Sequence, residues 1–238
     1  MESTTFTAPV SRPEDGLYLP EGASLFRRVR TAVTALRVLD KHPDDPVAAA
    51  LLNAALDGNL YRREADRLTK TDFGKKLLAE RPTLQKGSVD LEALAKQPEG
   101  TVGRAFAEYF VKNKIEPFST PYEVRNEVDY LIKWYRETHD LHHILTGYGT
   151  DAVGEMEVQA FALGNLGFRV SVMILMFAAL LRPHDLPPMW KYWDRLQVAY
   201  RRGRASANLF DVRYDQYLDA TVDSLRQALR IPPLAATT

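Results

Sequence analysis

Apolar residues in this chain recur every three or four positions and nowhere alternate with polar ones, and that period most limits the folds open to it. Leu25, Val29, Ala32, Val33, Leu36 and Leu39 form one such stripe behind Ser24, whose side chain suits an N-cap. Spacing of this kind puts side chains on one helix face, whereas a half-buried strand needs a period of two. Asp45-Pro46 opens a second helix predicted to end near Gly58, with proline tolerated in the first turn because its missing N–H has no helical partner there. Shorter helices are predicted over 61–68, 73–79 and 89–95. Thr101 caps a helix from Val102 to near Asn113, Pro117 and Pro121 bound a loop, and a long helix runs from Val128 to Thr146, stopped by Gly147. Asp151 caps the next helix, and Asn165 and Gly167 interrupt it before an apolar helix over 170–181. His184 to Pro188 reads as a linker, followed by helical stretches over 189–201 and 210–229. With no Val/Ile/Thr alternation between turns, strands are not supported. The expected fold class is all-α.

At 238 residues one domain is the default, here a single-domain helical protein with a metal-binding helical hairpin. The expected organisation is an extended arm over 1–22, a helical domain over 23–232 and a tail over 233–238. Lys+Arg and Asp+Glu both number 31, so the formal net charge is zero and gives no footprint for nucleic acid. Absent cysteine removes disulfides, thiolate metal sites and thiol nucleophiles, and fits a reducing compartment. Met1 to Pro20 carries Glu2, Glu14 and Asp15 and no long apolar core, so neither a secretory signal nor an arginine-rich transit peptide is expected. The most lipid-like run, Val170 to Leu181 between Arg169 and Arg182, rises about 18 Å as helix against a hydrocarbon core of ~30 Å. It is too short to span a bilayer and reads as a core helix or the lining of an apolar cavity.

The chemistry concentrates in Glu137-Thr138-His139-Asp140-Leu141-His142-His143, with Glu155 twelve positions after His143. Taking His139 as zero on a helical wheel, His143 falls at about 40°, Asp140 at about 100° and His142 at about −60°. His139 and His143 are the closest pair; Asp140 and His142 lie on opposite flanks, and angle does not choose between them. His143 stands four residues before the Gly147 turn and Glu155 four after the Asp151 cap, so in a helical hairpin both lie about 6 Å from the loop. Two imidazoles with carboxylates form an N/O ligand set suited to a divalent metal. The pattern differs from His-Glu-x-x-His in having aspartate where the peptidase base stands, and paired Glu-x-x-His motifs of di-iron bundles are missing. Around this core, Arg136 could pair with Asp140 or an anionic head group. Tyr130, Trp134, Trp190, Tyr192 and Trp193 read as packing aromatics, and Arg201, Arg202 and Arg204 as a solvated turn.

The run from Arg136 to Gly147, followed by Asp151-Ala152-Val153-Gly154-Glu155, resembles the signature of the coenzyme Q biosynthesis protein four family: His-Asp-x-x-His, eleven residues, then Glu. Gly16-Leu17-Tyr18, Glu80-Arg81-Pro82 and Pro98 to Arg104 agree, so the resemblance extends from about Gly16 to Ile231. Departures are the proline-rich loop Ile115 to Tyr122 and Tyr214-Asp215, where Trp-Glu is common. The resemblance implies His139, Asp140, His143 and Glu155 as ligands and catalytic residues, with Zn2+ or another divalent ion as cofactor; His142 falls on an unspecified position. It implies decarboxylation at C1 of a polyprenyl-hydroxybenzoate intermediate of ubiquinone biosynthesis, coupled or not to hydroxylation there. The alternative is a non-catalytic lipid-binding scaffold organising the biosynthetic complex around a structural metal. The implied partners are a polyprenylated aromatic lipid and other ubiquinone-biosynthesis proteins. A bacterial member would be cytoplasmic, peripheral on the inner face of the plasma membrane. A homodimer fits an apolar-rich helical chain of this size.

Overall fold

A computed structural model describes residues 10–20, 22–42, 44–120, 122–181 and 186–234. The first nine residues of the expected arm, Pro121, the start of the 184–188 linker and the end of the C-terminal tail lie outside them. In chain order the helices are α1 (Leu25–Lys41), α2 (Pro46–Leu68), α3 (Asp72–Glu80), α4 (Leu91–Ala95), α5 (Val102–Asn113), α6 (Glu127–Thr146), α7 (Ala152–Leu166), α8 (Arg169–Leu181), α9 (Trp193–Ala205) and α10 (Val222–Ala228). Short 3-10 turns occupy Pro13–Asp15, Met189–Lys191 and Tyr214–Tyr217. The described residues contain no strand, only the isolated bridges Arg12–Leu17 and Thr101–Thr221. The all-α expectation holds. The chain groups into two compact units, residues 1–86 with 118–137 and residues 87–117 with 138–238.

In the first unit α1 packs on α2, where Ala48, Ala49, Ala50, Ala54 and Ala55 are buried and their small side chains permit a close approach. Asp45 caps α2 by accepting from the Ala48 N–H at 2.8 Å and also holds the Arg12 guanidinium at 2.7 Å. The expected extended arm is therefore docked in part: Leu17 and Leu19 are buried, and Tyr18 accepts a hydrogen bond from the Thr31 hydroxyl. The second predicted helix does not end at Gly58. It continues as one element to Leu68, because Leu60, Tyr61, Ala65 and Leu68 are buried and their packing outweighs the roughly 1 kcal/mol cost of an interior glycine. The start of the α1 stripe also departs from expectation, with Leu25 and Phe26 exposed and burial beginning at Thr31.

Within the same unit the Glu137 carboxylate is buried and fully partnered. It pairs with Lys133 and accepts from the Thr83 hydroxyl at 2.8 Å, the Leu84 N–H at 3.0 Å and the Thr120 hydroxyl at 2.9 Å. The Thr83–Leu84 loop and Thr120 are thereby tied to one side chain. The Arg136 guanidinium lies over the Phe118 ring, 4.1 Å from the centroid.

In the second unit α7 packs on both α8 and α9. The α7–α9 crossing is close enough that a methyl group at Gly164 would lie 2.1 Å from the Tyr200 carbonyl oxygen, and one at Gly203 2.1 Å from that of Phe161. The Arg195 guanidinium donates twice to the buried Glu157 carboxylate, at 2.9 and 2.6 Å, along the same interface. Helices α5 and α10 begin back to back: Val102 N–H donates to Ala220 O, and Val222 N–H to Gly100 O. The helix predicted over 210–229 is not formed as one piece. The chain instead makes the 214–217 turn and the short α10, since Thr221 caps a new helix by accepting from Ser224 N–H. The stretch 189–201 is likewise a 3-10 turn followed by α9. The aromatics divide: Tyr130, Trp134 and Tyr192 are buried as expected, whereas Trp190 is 79% and Trp193 51% exposed. Helix α8 is part core only, with Val170 and Ser171 buried and Val172 and Met176 exposed. No helix among the described residues is long and apolar enough to cross a membrane.

Candidate metal centre

The site is built by the end of α6, the turn after it and the start of α7. Gly147 takes φ of 76°, a left-handed conformation that favours glycine, and its N–H returns to the His143 carbonyl at 2.9 Å. Tyr148, Gly149 and Thr150 complete the turn. Asp151 then caps α7, its carboxylate accepting from Val153 N–H at 3.0 Å and Gly154 N–H at 2.9 Å. Gly154 is also required sterically, because a methyl group there would stand 2.1 Å from the Gly149 carbonyl oxygen. Removing the cap with Asp151→Ala is expected to lower stability by about 1 kcal/mol, read as a shift of the urea midpoint; an unchanged midpoint would deny the cap its role.

This turn brings His143 and Glu155 together, with Nε2 and Oε1 3.2 Å apart. His139, His143 and Glu155 each offer a donor atom, and all three atoms lie within 4.8 Å of one another. The two rings are 5.0 Å apart and inclined by 69°, an edge-to-face arrangement. His139 and His143 are buried, while the Glu155 side chain is 38% exposed, leaving the group open on one side. Asp140 is not drawn into the set of three; its carboxylate is 3.9 Å from His139 Nδ1. His142 turns the other way. Its ring is fully buried, with Nε2 3.4 Å from the Tyr214 hydroxyl.

The hydrogen bonds of His143 define its chemistry. Nδ1 faces two carbonyl oxygens, Gly149 at 3.0 Å and Tyr148 at 3.3 Å, so it carries the proton and donates. Nε2 faces the Glu155 carboxylate, an arrangement that suits a positive charge between them, whether a proton or a metal ion. Two ligands about 2 Å from a tetrahedral ion are themselves about 3.3 Å apart, close to the observed separation. Electrostatics agree in direction. Burial works to lower the pKa of His143, but the Glu155 carboxylate, aided by Asp140 and the Tyr148 carbonyl, outweighs it and raises the pKa. His142 is pushed well down, first by burial and then by the neighbouring imidazoles. The Glu155 carboxylate thus favours the positively charged form of His143, whereas burial holds His142 neutral.

Sequence reasoning gave several residues around the site no role in it. Tyr109 on α5 lies 5.9 Å from the His143 ring and lines a groove of about 680 Å³ with Ala95, Ala105, Val111 and Ile144. Tyr214, at one of the departures from the family pattern, is fully buried, donates to Leu209 O and faces His142, while Asp215 pairs with Arg213. Arg202 contradicts the solvated-turn reading: it is 6% exposed and sits inside α9. Nothing in its immediate neighbourhood in sequence distinguishes it from Arg201 and Arg204.

The family model described as Coenzyme Q (ubiquinone) biosynthesis protein Coq4 matches residues 23–235. The chain belongs to the Coq4 family. A relative named ubiquinone biosynthesis protein coq4, mitochondrial, from Talaromyces stipitatus is 31% identical over 190 residues, which cover 78% of this chain and 66% of the relative. The Rattus norvegicus COQ4 homolog, also named mitochondrial, is 29% identical over 232 residues, covering 86% of this chain and 87% of its own. A crystal structure of a candidate ubiquinone biosynthesis protein from Nostoc punctiforme PCC 73102 superposes with a TM-score of 0.68 at 26% identity, over 86% of this chain and 96% of the other. The Coq4 assignment agrees with the resemblance carried by the His139–Glu155 segment.

Proposed function

We propose that this Coq4-family chain catalyses metal-dependent removal of the C1 carboxylate from a polyprenyl-hydroxybenzoate intermediate of ubiquinone biosynthesis. The observation that carries the reading is the His143 ring, pinned by carbonyls at Nδ1 and presenting Nε2 to Glu155 beside His139. His139, His143 and Glu155 would hold the ion, zinc or another divalent metal, and Asp140, the remaining residue of the family motif, would have to turn toward them from its place 3.9 Å from His139 Nδ1. A bound ion would provide Lewis acidity toward a phenolic or carboxylate oxygen of the aromatic head as CO2 leaves. In that step the bond from C1 to the carboxylate breaks, its electron pair stays on the ring, and a proton takes the vacated position.

The remaining contributions come from the chain itself. The groove, lined by Ala95, Ala105, Tyr109, Val111 and Ile144 together with Glu108 and Lys112, suits a largely apolar tail with a polar end, and Tyr109 lies between it and the His143 ring. This groove on α4, α5 and α6, rather than α8, is where the polyprenyl chain is proposed to lie. Such a substrate calls for peripheral attachment to the membrane that stores it, the inner face of the plasma membrane in a bacterium. Association with other ubiquinone-biosynthesis proteins, and homodimerisation, belong to the same reading.

The test is CO2 release from a short-prenyl analogue bearing the C1 carboxylate. Release by the zinc-loaded protein and none by His143→Ala is expected. Full release by metal-free His143→Ala would overturn the mechanism. No release by the wild type, together with unfolding on metal removal, would favour the scaffold reading instead.

A further inference from the structure

The end of α6 is gripped from outside by two arginines. Arg202 Nη1 donates to the Thr146 carbonyl at 3.0 Å, and its Nε and Nη2 donate to the Pro232 carbonyl at 3.0 and 2.8 Å. Its guanidinium also lies over the Tyr148 ring, 4.9 Å from the centroid. Arg226 donates to the Leu145 and Ile144 carbonyls at 2.9 and 3.1 Å. Three of the four carbonyls that a helix C-terminus leaves unpaired thus meet a cation, where the helix dipole favours positive charge. Arg202 differs from Arg226 in being buried, whereas Arg226 is part exposed and also donates to the Asp223 carboxylate at 3.0 Å.

We infer that Arg202 is a positioning residue of the metal centre, acting through the 146–149 turn to select the tautomer of His143. The inference rests on the metal reading above. Arg202 holds the residue before Gly147 by its carbonyl and the residue after it by its ring. Gly147, at φ of 76°, is the pivot between them. With both flanks fixed, the Tyr148 and Gly149 carbonyls stay aimed at His143 Nδ1 and the proton stays there. Nε2 is then the only ring atom left to bind a metal. Partners of ligating histidines commonly alter metal affinity 10–100-fold, and here that influence is exerted one step further out, through a turn held by an arginine.

The experiment has two readouts. Competition with a chelator gives zinc affinity, and long-range 1H–15N spectra of the metal-free protein at alkaline pH, where the imidazole is neutral, give the His143 tautomer. The wild type is expected to show Nδ1–H. Arg202→Gln should bind zinc about tenfold or more weakly and populate the Nε2–H form, while the exposed neighbour variant Arg204→Gln should match wild type in both. Wild-type affinity within twofold and an unchanged tautomer in Arg202→Gln would overturn the inference. Should Arg202→Gln fail to fold, Arg202→Lys and Tyr148→Leu decide it: the first keeps the charge but loses the fork, and the second removes the stacked ring and keeps the backbone carbonyl. Both are expected to weaken zinc binding, and wild-type behaviour in both would refute the role. A wild type that binds no zinc would count against the metal reading, while the tautomer readout would still test Arg202.

Discussion

Gly203→Ala is expected to destabilise the protein by about 3 kcal/mol, among the largest effects of a single added methyl group. At 2.1 Å from the Phe161 carbonyl oxygen and 3.1 Å from the Asn165 nitrogen, the new Cβ meets backbone on α7, which cannot rotate away. The helices must separate. Separation would strain the Arg195–Glu157 pair and the bonds from the Asn165 amide to the Gly203 and Ala207 carbonyls, at 3.0 and 2.9 Å. Gly164→Ala pushes the same two helices apart from the other side, against the Tyr200 carbonyl. The double variant should therefore cost less than the sum of the two, since one separation serves both. Gly87→Ala is the control: φ is 82° but nothing lies within 4 Å, so backbone strain of about 1 kcal/mol is all it adds. Chemical denaturation of the four variants measures this, and a Gly203→Ala cost below about 1 kcal/mol would show that the crossing is looser than its geometry.

His143→Ala is expected to lower zinc affinity by well over 100-fold, beyond the 10–100-fold typical of residues that only support a ligand. It removes the ring that faces Glu155 and that the turn exists to orient. Glu155→Gln should follow closely, because the amide keeps the shape but loses the charge that raises the His143 pKa. Asp140→Asn is expected to cost less than either, since its carboxylate stands outside the group of three. His142→Gln should leave zinc affinity nearly unchanged and act on stability instead, because that ring is buried against Tyr214. Elemental analysis with chelator competition ranks the four. A His142→Gln variant that lost its metal while His143→Ala kept it would invert the assignment.

Much of this was legible locally. Asp45, Thr101 and Asp151 cap their helices as their side chains predict, and the level placement of His143 and Glu155 across a short turn follows from counting residues. Other readings failed where distant packing decided. Gly58 lies inside a helix because buried residues on both sides outweigh its weak propensity, and 210–229 breaks because Thr221 pairs with Thr101, far back in the chain. Trp190 reads as a core aromatic by type and is exposed in fact.

The sequence by itself determined the helical class, the positions of the caps and the pairing of His139, His143 and Glu155. Period, capping and turn length act within one or two helical turns, so they can be read along the chain. Only the tertiary structure decided that His142 faces inward, that Asp140 stands apart from the other three, and that Arg202 is buried at the end of α6. The first and last depend on residues dozens of positions away, 72 in the Tyr214–His142 contact and 56 in the Arg202–Thr146 bond, and the second on the direction in which the Asp140 side chain points. Helical spacing assigns a residue to a face, but only packing determines what that face meets.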